Sequence, residues 1–118
     1  MTANARILVV EDDVLIGMEL SERLGEMGYA VLGPAETLAA ADALLGELPD
    51  AALLDANLDG ESTIALGARL HAAGVPVAFC TGYDHLRGLP PELAKTPILT
   101  KPIADEPLKA ALAKMLAR

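Results

Sequence analysis

ILVVEDD, residues 7–13, joins four aliphatic side chains directly to three acids. An uninterrupted apolar run of this kind, rich in β-branched residues, reads as a strand buried on both faces, which places it in a parallel sheet covered by helices. The acids then fall at the strand's carboxyl end. Outward from this stretch, Arg6–Val10 is the strand and Asp13 the cap of a helix that carries Ile16, Leu20, Leu24 and Met27 at helical spacing. Gly28 ends that helix.

The same unit recurs along the chain. Ala30–Leu32 reads as a second strand, after which Gly33-Pro34 turns the chain toward a helix capped near Thr37, with Leu38, Ala41, Leu45 and Leu48 on one face and Pro49-Asp50 as its stop. Ala51–Leu54 is a third strand that ends at Asp55, followed by a polar loop through Gly60 and a helix from about Ser62 to Ala73, closed by Gly74. Val77–Cys80 is a fourth strand. The segment from Tyr83 to Pro97 holds Gly88, Pro90 and Pro91, so its helix is expected to be short or frayed. Ile98–Thr100 is a fifth strand, and Asp105 caps a last helix bearing Leu108, Leu112 and Met115, with Pro107 tolerated in its first turn. Strands alternating with helices give an α/β fold with helices on both faces of a parallel sheet.

Composition bounds the function. In 118 residues, 53% of them apolar, there is material for one domain with one core. Nine basic against seventeen acidic residues, a net charge of −8, with no basic cluster, disfavours direct contact with nucleic acid. The single Cys80 cannot form an internal disulfide, and no Cys/His pairing suggests zinc, so a reducing cytoplasm is the expected setting. The first ten residues do not read as a leader, and no stretch approaches the roughly 18 apolar residues of a membrane span. A soluble, unprocessed chain without membrane contact is expected.

In an open parallel sheet, ligands bind outside the carboxyl ends of the strands. The polar residues gather there: Glu11, Asp12 and Asp13 after the first strand, Asp55 and Asn57 after the third, Thr81-Gly82 after the fourth, Lys101-Pro102 after the fifth. Carboxylates converging on one crevice repel one another and lose water, which calls for a cation; carboxylates, a carbonyl and several waters suit Mg²⁺. A magnesium ion, an ammonium and a carboxylate not fully used as a ligand suit a phosphoryl group and its transfer onto that carboxylate. Asp13 reads as a helix cap and Cys80 as a small buried hydrophobe. His71 and His85 read as solvated, and Tyr83 fits either a cover over the crevice or part of a partner surface. Pro102 holds Lys101 extended and permits a cis bond there.

ILVVEDD at 7–13, LLDANLDG at 53–60, FCTGYD at 79–84 and LTKP at 99–102 stand in one order at four strand ends. Together they resemble the receiver domain of two-component response regulators. The resemblance covers essentially the whole chain, 1–118, as a single receiver domain without an output domain. It implies a flavodoxin-like, doubly wound five-stranded parallel sheet of order 2-1-3-4-5. It also implies Asp55 as phosphoacceptor, Glu11 and Asp12 as the acidic pair that holds Mg²⁺ beside Asp55, and Asn57 as the donor of a main-chain carbonyl to that ion. Thr81 would be the switch hydroxyl and Lys101 the lysine that pairs with the phosphate. The implied partners are a sensor histidine kinase or a phosphotransfer protein as donor and a downstream protein as target. Such a protein is a bacterial, cytoplasmic phosphoacceptor in a phosphorelay rather than an enzyme, with assisted self-phosphorylation and self-dephosphorylation as its only chemistry.

The chain departs from the common receiver pattern at two places. Ile98 stands three positions before the lysine where many receivers carry an aromatic, and Leu58-Asp59 occupies a place where proline is frequent. DANLDGES, GVPVAFCTGYD and LPPEL with PILTKP are similar instead to a subclass of single-domain receivers marked by a Phe-x-Thr-Gly-Tyr string. That subclass has a loose fourth helix, acts by protein contact and often works beside kinases of the HWE type. Signalling would then involve the Thr81 loop and the segment 84–97. An interaction module that keeps the fold without phosphorylation is the alternative. An aspartyl phosphatase would want a second Asp where Asn57 stands, and a nucleotide binder would want a glycine-rich loop after the first strand.

Overall fold

Successive side chains of a strand point to opposite faces, and here both faces are apolar. A computed structural model describes residues 4–83 and 86–117. Its strands and helices follow the chain as β1 (Arg6–Val10), α1 (Val14–Glu26), β2 (Ala30–Ala35), α2 (Leu38–Ala43) and β3 (Ala51–Asp55), then a short hairpin of β4 (Asn57–Leu58) and β5 (Glu61–Ser62). The second half comprises α3 (Ile64–Ala72), β6 (Val77–Thr81), a 3-10 turn (Pro91–Leu93), β7 (Ile98–Thr100) and α4 (Asp105–Leu116). Five strands form one parallel sheet ordered β2-β1-β3-β6-β7. Numbered among the sheet strands alone, that is the expected 2-1-3-4-5; only the added hairpin shifts the labels.

Ile7, Val9, Ala51, Leu53, Ala78 and Cys80 point to the side covered by Leu20 and Leu24 of α1 and by Leu108, Leu112 and Met115 of α4. Leu8, Val10, Ala52, Leu54, Val77 and Phe79 point to the other, beneath Ala41 of α2, Leu66 and Leu70 of α3, and Leu93 of the 3-10 turn. The sheet is thus sandwiched between two helical layers, with Phe79 fully buried at the centre of the second. Its ring lies against Gly67, where an added Cβ would come within 2.7 Å of the ring carbon Cζ.

Several local expectations are corrected. Gly33-Pro34 does not turn the chain out of the sheet: β2 runs on to Ala35, and the register with β1 slips between Leu8 and Val10. Gly33 has φ +101°, and a Cβ there would lie 2.7 Å from the Val9 carbonyl oxygen, so the slip needs glycine. The α2 helix stops at Ala43, which leaves Leu45 only partly buried and Leu48 half-exposed rather than on a continuous core face. Ile16 is 40% exposed, and Gly17 takes the core position of that turn. The short helix expected between Tyr83 and Pro97 is borne out, among the described residues, as a 3-10 turn entered through extended Pro90 and anchored by buried Leu93. α3 begins at Ile64, two residues later than Ser62. The last helix is preceded by Ala104, which offers no cap, while Asp105 is its first residue. Asp13 and Thr37 do cap their helices, accepting from the Ile16 and Ala40 N–H groups at 3.0 Å each.

Candidate functional site

The pairing Val10↔Leu54 sets Glu11 level with Asp55, and Thr81↔Thr100 brings Lys101 one step past the end of β6. The β1, β3 and β7 ends therefore deliver their polar residues to one crevice of about 390 Å³, completed by Asn57, Asp59 and Gly60. Glu11, Asp12 and Asp55 each present a carboxylate oxygen within 4.8 Å of the others. Lys101 Nζ lies 2.7 Å from Glu11 Oε1 and 3.3 Å from Asp55 Oδ1. Glu11 and Asp55 are both buried. The second Glu11 oxygen accepts the Asp13 N–H at 3.1 Å, and Asp55 Oδ1 also accepts the Asn57 N–H at 3.3 Å.

Burial, followed by the neighbouring Glu11 carboxylate, pushes Asp55 up to about 7, against the pull of Lys101. For Asp12, burial also acts upward, but hydrogen bonds with Asp55 and Glu11 and from the Asp59 N–H outweigh it and hold the group below its usual value. Lys101 is raised: burial opposes its charge, yet the Glu11 hydrogen bond and the Asp55 charge prevail. Burial drives the Cys80 thiol up to about 12, which leaves it an inert part of the core.

The donor set fits a divalent cation. Once all three carboxylates are ionised they face one ammonium and leave two negative charges uncompensated, and Asp12 has no ion-pair partner among the described residues. The Asn57 side-chain oxygen accepts the Gly60 N–H at 2.7 Å, and Asn57 lines the crevice beside the three carboxylates. Hard oxygen ligands and high negative charge are what Mg²⁺ selects.

Glu11, Asp12, Asp55, Asn57 and Lys101 are thus brought together. Thr81 sits beside them: it is buried at the end of β6, its hydroxyl oxygen accepts the Tyr83 N–H at 3.3 Å, its carbonyl accepts the Lys101 N–H at 2.7 Å, and it does not line the crevice. Tyr83 is 75% exposed and away from the crevice, which favours the partner-surface reading. His71 is exposed as expected, whereas His85 lies outside the described residues.

Two residues escaped the sequence reading. Thr63 is fully buried, its hydroxyl donates to the Asp55 carbonyl at 2.7 Å and its N–H to the Ala56 carbonyl at 3.3 Å, closing the loop that carries Asn57. A threonine ahead of a helix reads as a cap, but this one makes no cap bond and turns back to the strand. Asp59 has φ +49°, a left-handed conformation that a short polar side chain tolerates, and it lines the crevice together with Asp12. Only the closed loop reveals that placement.

Comparison with known proteins agrees with this fold. Residues 7–113 match the model of the response regulator receiver domain. The chain is 30% identical over 113 residues to the sensory transduction protein LytT of Bacillus subtilis (strain 168), covering 92% of this chain and 47% of LytT. It spans about half the length of the curated relatives it matches. The solution structure of SdrG from Sphingomonas melonis Fr1 is 35% identical, with a TM-score of 0.80 over 99% of this chain and 100% of that one. The receiver domain of PhyR from Erythrobacter litoralis is 28% identical, with a TM-score of 0.80 over 97% of this chain and 91% of that one. With residues 7–113 matched by that family's model and its fold shared with solved receiver domains, this chain belongs to the receiver domains of two-component response regulators.

Proposed function

We propose that Asp55 accepts a phosphoryl group from a phosphohistidine and that this switches a protein-binding surface. The observation that carries the reading is the single ammonium of Lys101 held between Glu11 and Asp55 at the floor of an acidic crevice. In the transfer, an Asp55 carboxylate oxygen bonds to phosphorus as the N–P bond breaks, and the leaving imidazole takes up a proton from solvent. Lys101 neutralises charge on the phosphoryl oxygens. Mg²⁺, held by Asp12, Asp55 and the Asn57 carbonyl with Glu11 beside it, would add positive charge to the same oxygens. Thr81, whose carbonyl accepts the Lys101 N–H, would supply the hydroxyl that turns toward the product. The chemistry is confined to uptake and hydrolysis of this one group.

A protein donor must reach Asp55, so its docking face must border the crevice. Along α1, Val14, Leu15 and Met18 are 52%, 78% and 54% exposed. Leu15, Ile16, Leu20 and Ile103 line an apolar groove of about 540 Å³ that shares Ile16 and Lys101 with the crevice. Contiguous exposed apolar surface of this kind marks a protein contact, and we assign it to the donor, a histidine kinase or phosphotransfer protein. The SdrG likeness extends to its beryllofluoride-activated conformation, at a TM-score of 0.77, which supports a phosphoryl-driven change of surface.

The test is incubation with a small phosphodonor and Mg²⁺ followed by mass measurement and acid treatment. One acid-labile phosphoryl group on the wild type and none on Asp55→Asn is the expected result. Phosphate on Asp55→Asn, or partner binding indifferent to that change, would sink the reading in favour of a phosphorylation-independent interaction module.

A further inference from the structure

Arg23, on α1, is tied to the turn that carries Lys101. Its Nη1 donates to the Ile103 carbonyl at 2.8 Å and to Asp105 Oδ1 at 3.0 Å, while Nε and Nη2 grip Glu19 as a fork at 2.7 and 2.8 Å. The guanidinium side chain is only 22% exposed. Although burial opposes its charge, Glu19 and Asp105 hold it above the usual arginine value. The turn between β7 and α4 is fastened at its start by the Lys101 N–H on the Thr81 carbonyl and at its end by Arg23. α4 has no side-chain cap of its own, and Asp105, which begins the helix, is held by the same guanidinium.

We infer that Arg23 is a positioning residue for Lys101, setting through Ile103 and Asp105 where the ammonium meets Glu11 and Asp55; the inference rests on the phosphoacceptor reading of Asp55. Lys101 contacts its two carboxylates at 2.7 and 3.3 Å, so a small shift of the turn removes one of them. A planar fork with several donors can grip Glu19, a carbonyl and Asp105 together, and lysine cannot reproduce that.

The experiment compares Asp55 phosphorylation by a small phosphodonor, which needs no docking face, in wild type, Arg23→Met, Lys101→Met and the double variant. Arg23→Met is expected to slow the reaction by about tenfold or more, as misplacement of a catalytic group does. The double variant is expected to be no slower than Lys101→Met, because coupled residues are not additive. The Lys101 ε-methylene NMR signals should move in Arg23→Met before any donor is added. If Arg23→Met does not fold, Arg23→Lys keeps the charge and one bond, and an intermediate rate with displaced Lys101 signals is the supporting result. Wild-type rates in Arg23→Met or Arg23→Lys, or losses that multiply in the double variant, would overturn the assignment while leaving the phosphoacceptor reading intact. A wild type that takes no phosphoryl group at Asp55 overturns both.

Discussion

Asp55 carries a tension that stability measurements can detect. Its carboxyl moves from 3.8 to about 7 on folding, so between these values the folded chain keeps a proton that the unfolded chain has lost. The Asp55 contribution to stability then falls as pH rises from about 4 to about 7 and levels off above, opposite in sign to that of Asp12. In metal-free protein, denaturant unfolding across this range should show that decline, and Asp55→Asn should flatten it. Added Mg²⁺ should restore stability above pH 7 in the wild type and far less in the variant, because a ligand that binds only the folded state stabilises it. An Asp55→Asn profile identical to wild type, or one that falls more steeply with pH than wild type, would contradict the crowding of carboxylates described above. The residue types were legible from the chain: Glu11, Asp12, Asp55 and Lys101 follow strands, and strand ends in such sheets meet. The role of Thr63 was not, since its hydroxyl serves a carbonyl eight positions back and not the helix it precedes.

Among elements, two helical glycines make opposite predictions. Gly25 in α1 has open space where a Cβ would stand, so Gly25→Ala should stabilise by roughly 0.5–1 kcal/mol through helix propensity alone. Gly67 in α3 faces the fully buried Phe79 ring at 2.7 Å and Leu54 at 3.5 Å. The ring has no room to withdraw, so Gly67→Ala should destabilise by about 1–3 kcal/mol despite the same propensity gain. Urea midpoints at a fixed slope decide both. Helix beginnings were readable where a side chain caps its own turn, as at Asp13 and Thr37. They were misread where the side chain is claimed by a distant partner, as Asp105 is by Arg23. β2 was read too short for a related reason: Gly33-Pro34 looks like a turn until the sheet edge shows it as a slip in register.

For the molecule as a whole, the acidic crevice and the apolar α1 groove adjoin through Ile16 and Lys101. Leu15 lines the groove but not the crevice. Leu15→Glu is therefore expected to slow transfer from a protein phosphohistidine by about tenfold or more relative to transfer from a small donor, a loss of about 1.4 kcal/mol of docking energy. Equal effects on the two reactions would remove the groove from the donor path. No described helix is long and apolar enough to cross a membrane. The order of strands and helices, both core faces and the acids at the strand ends were readable in the residues themselves, because periodicity, caps and breakers act between near neighbours. The grip of Arg23 on a carbonyl eighty positions away, the displacement of Ile16 to the surface and the exact company each carboxylate keeps arose only on folding. Such contacts depend on which segments the sheet lays side by side, and no local pattern encodes that distance.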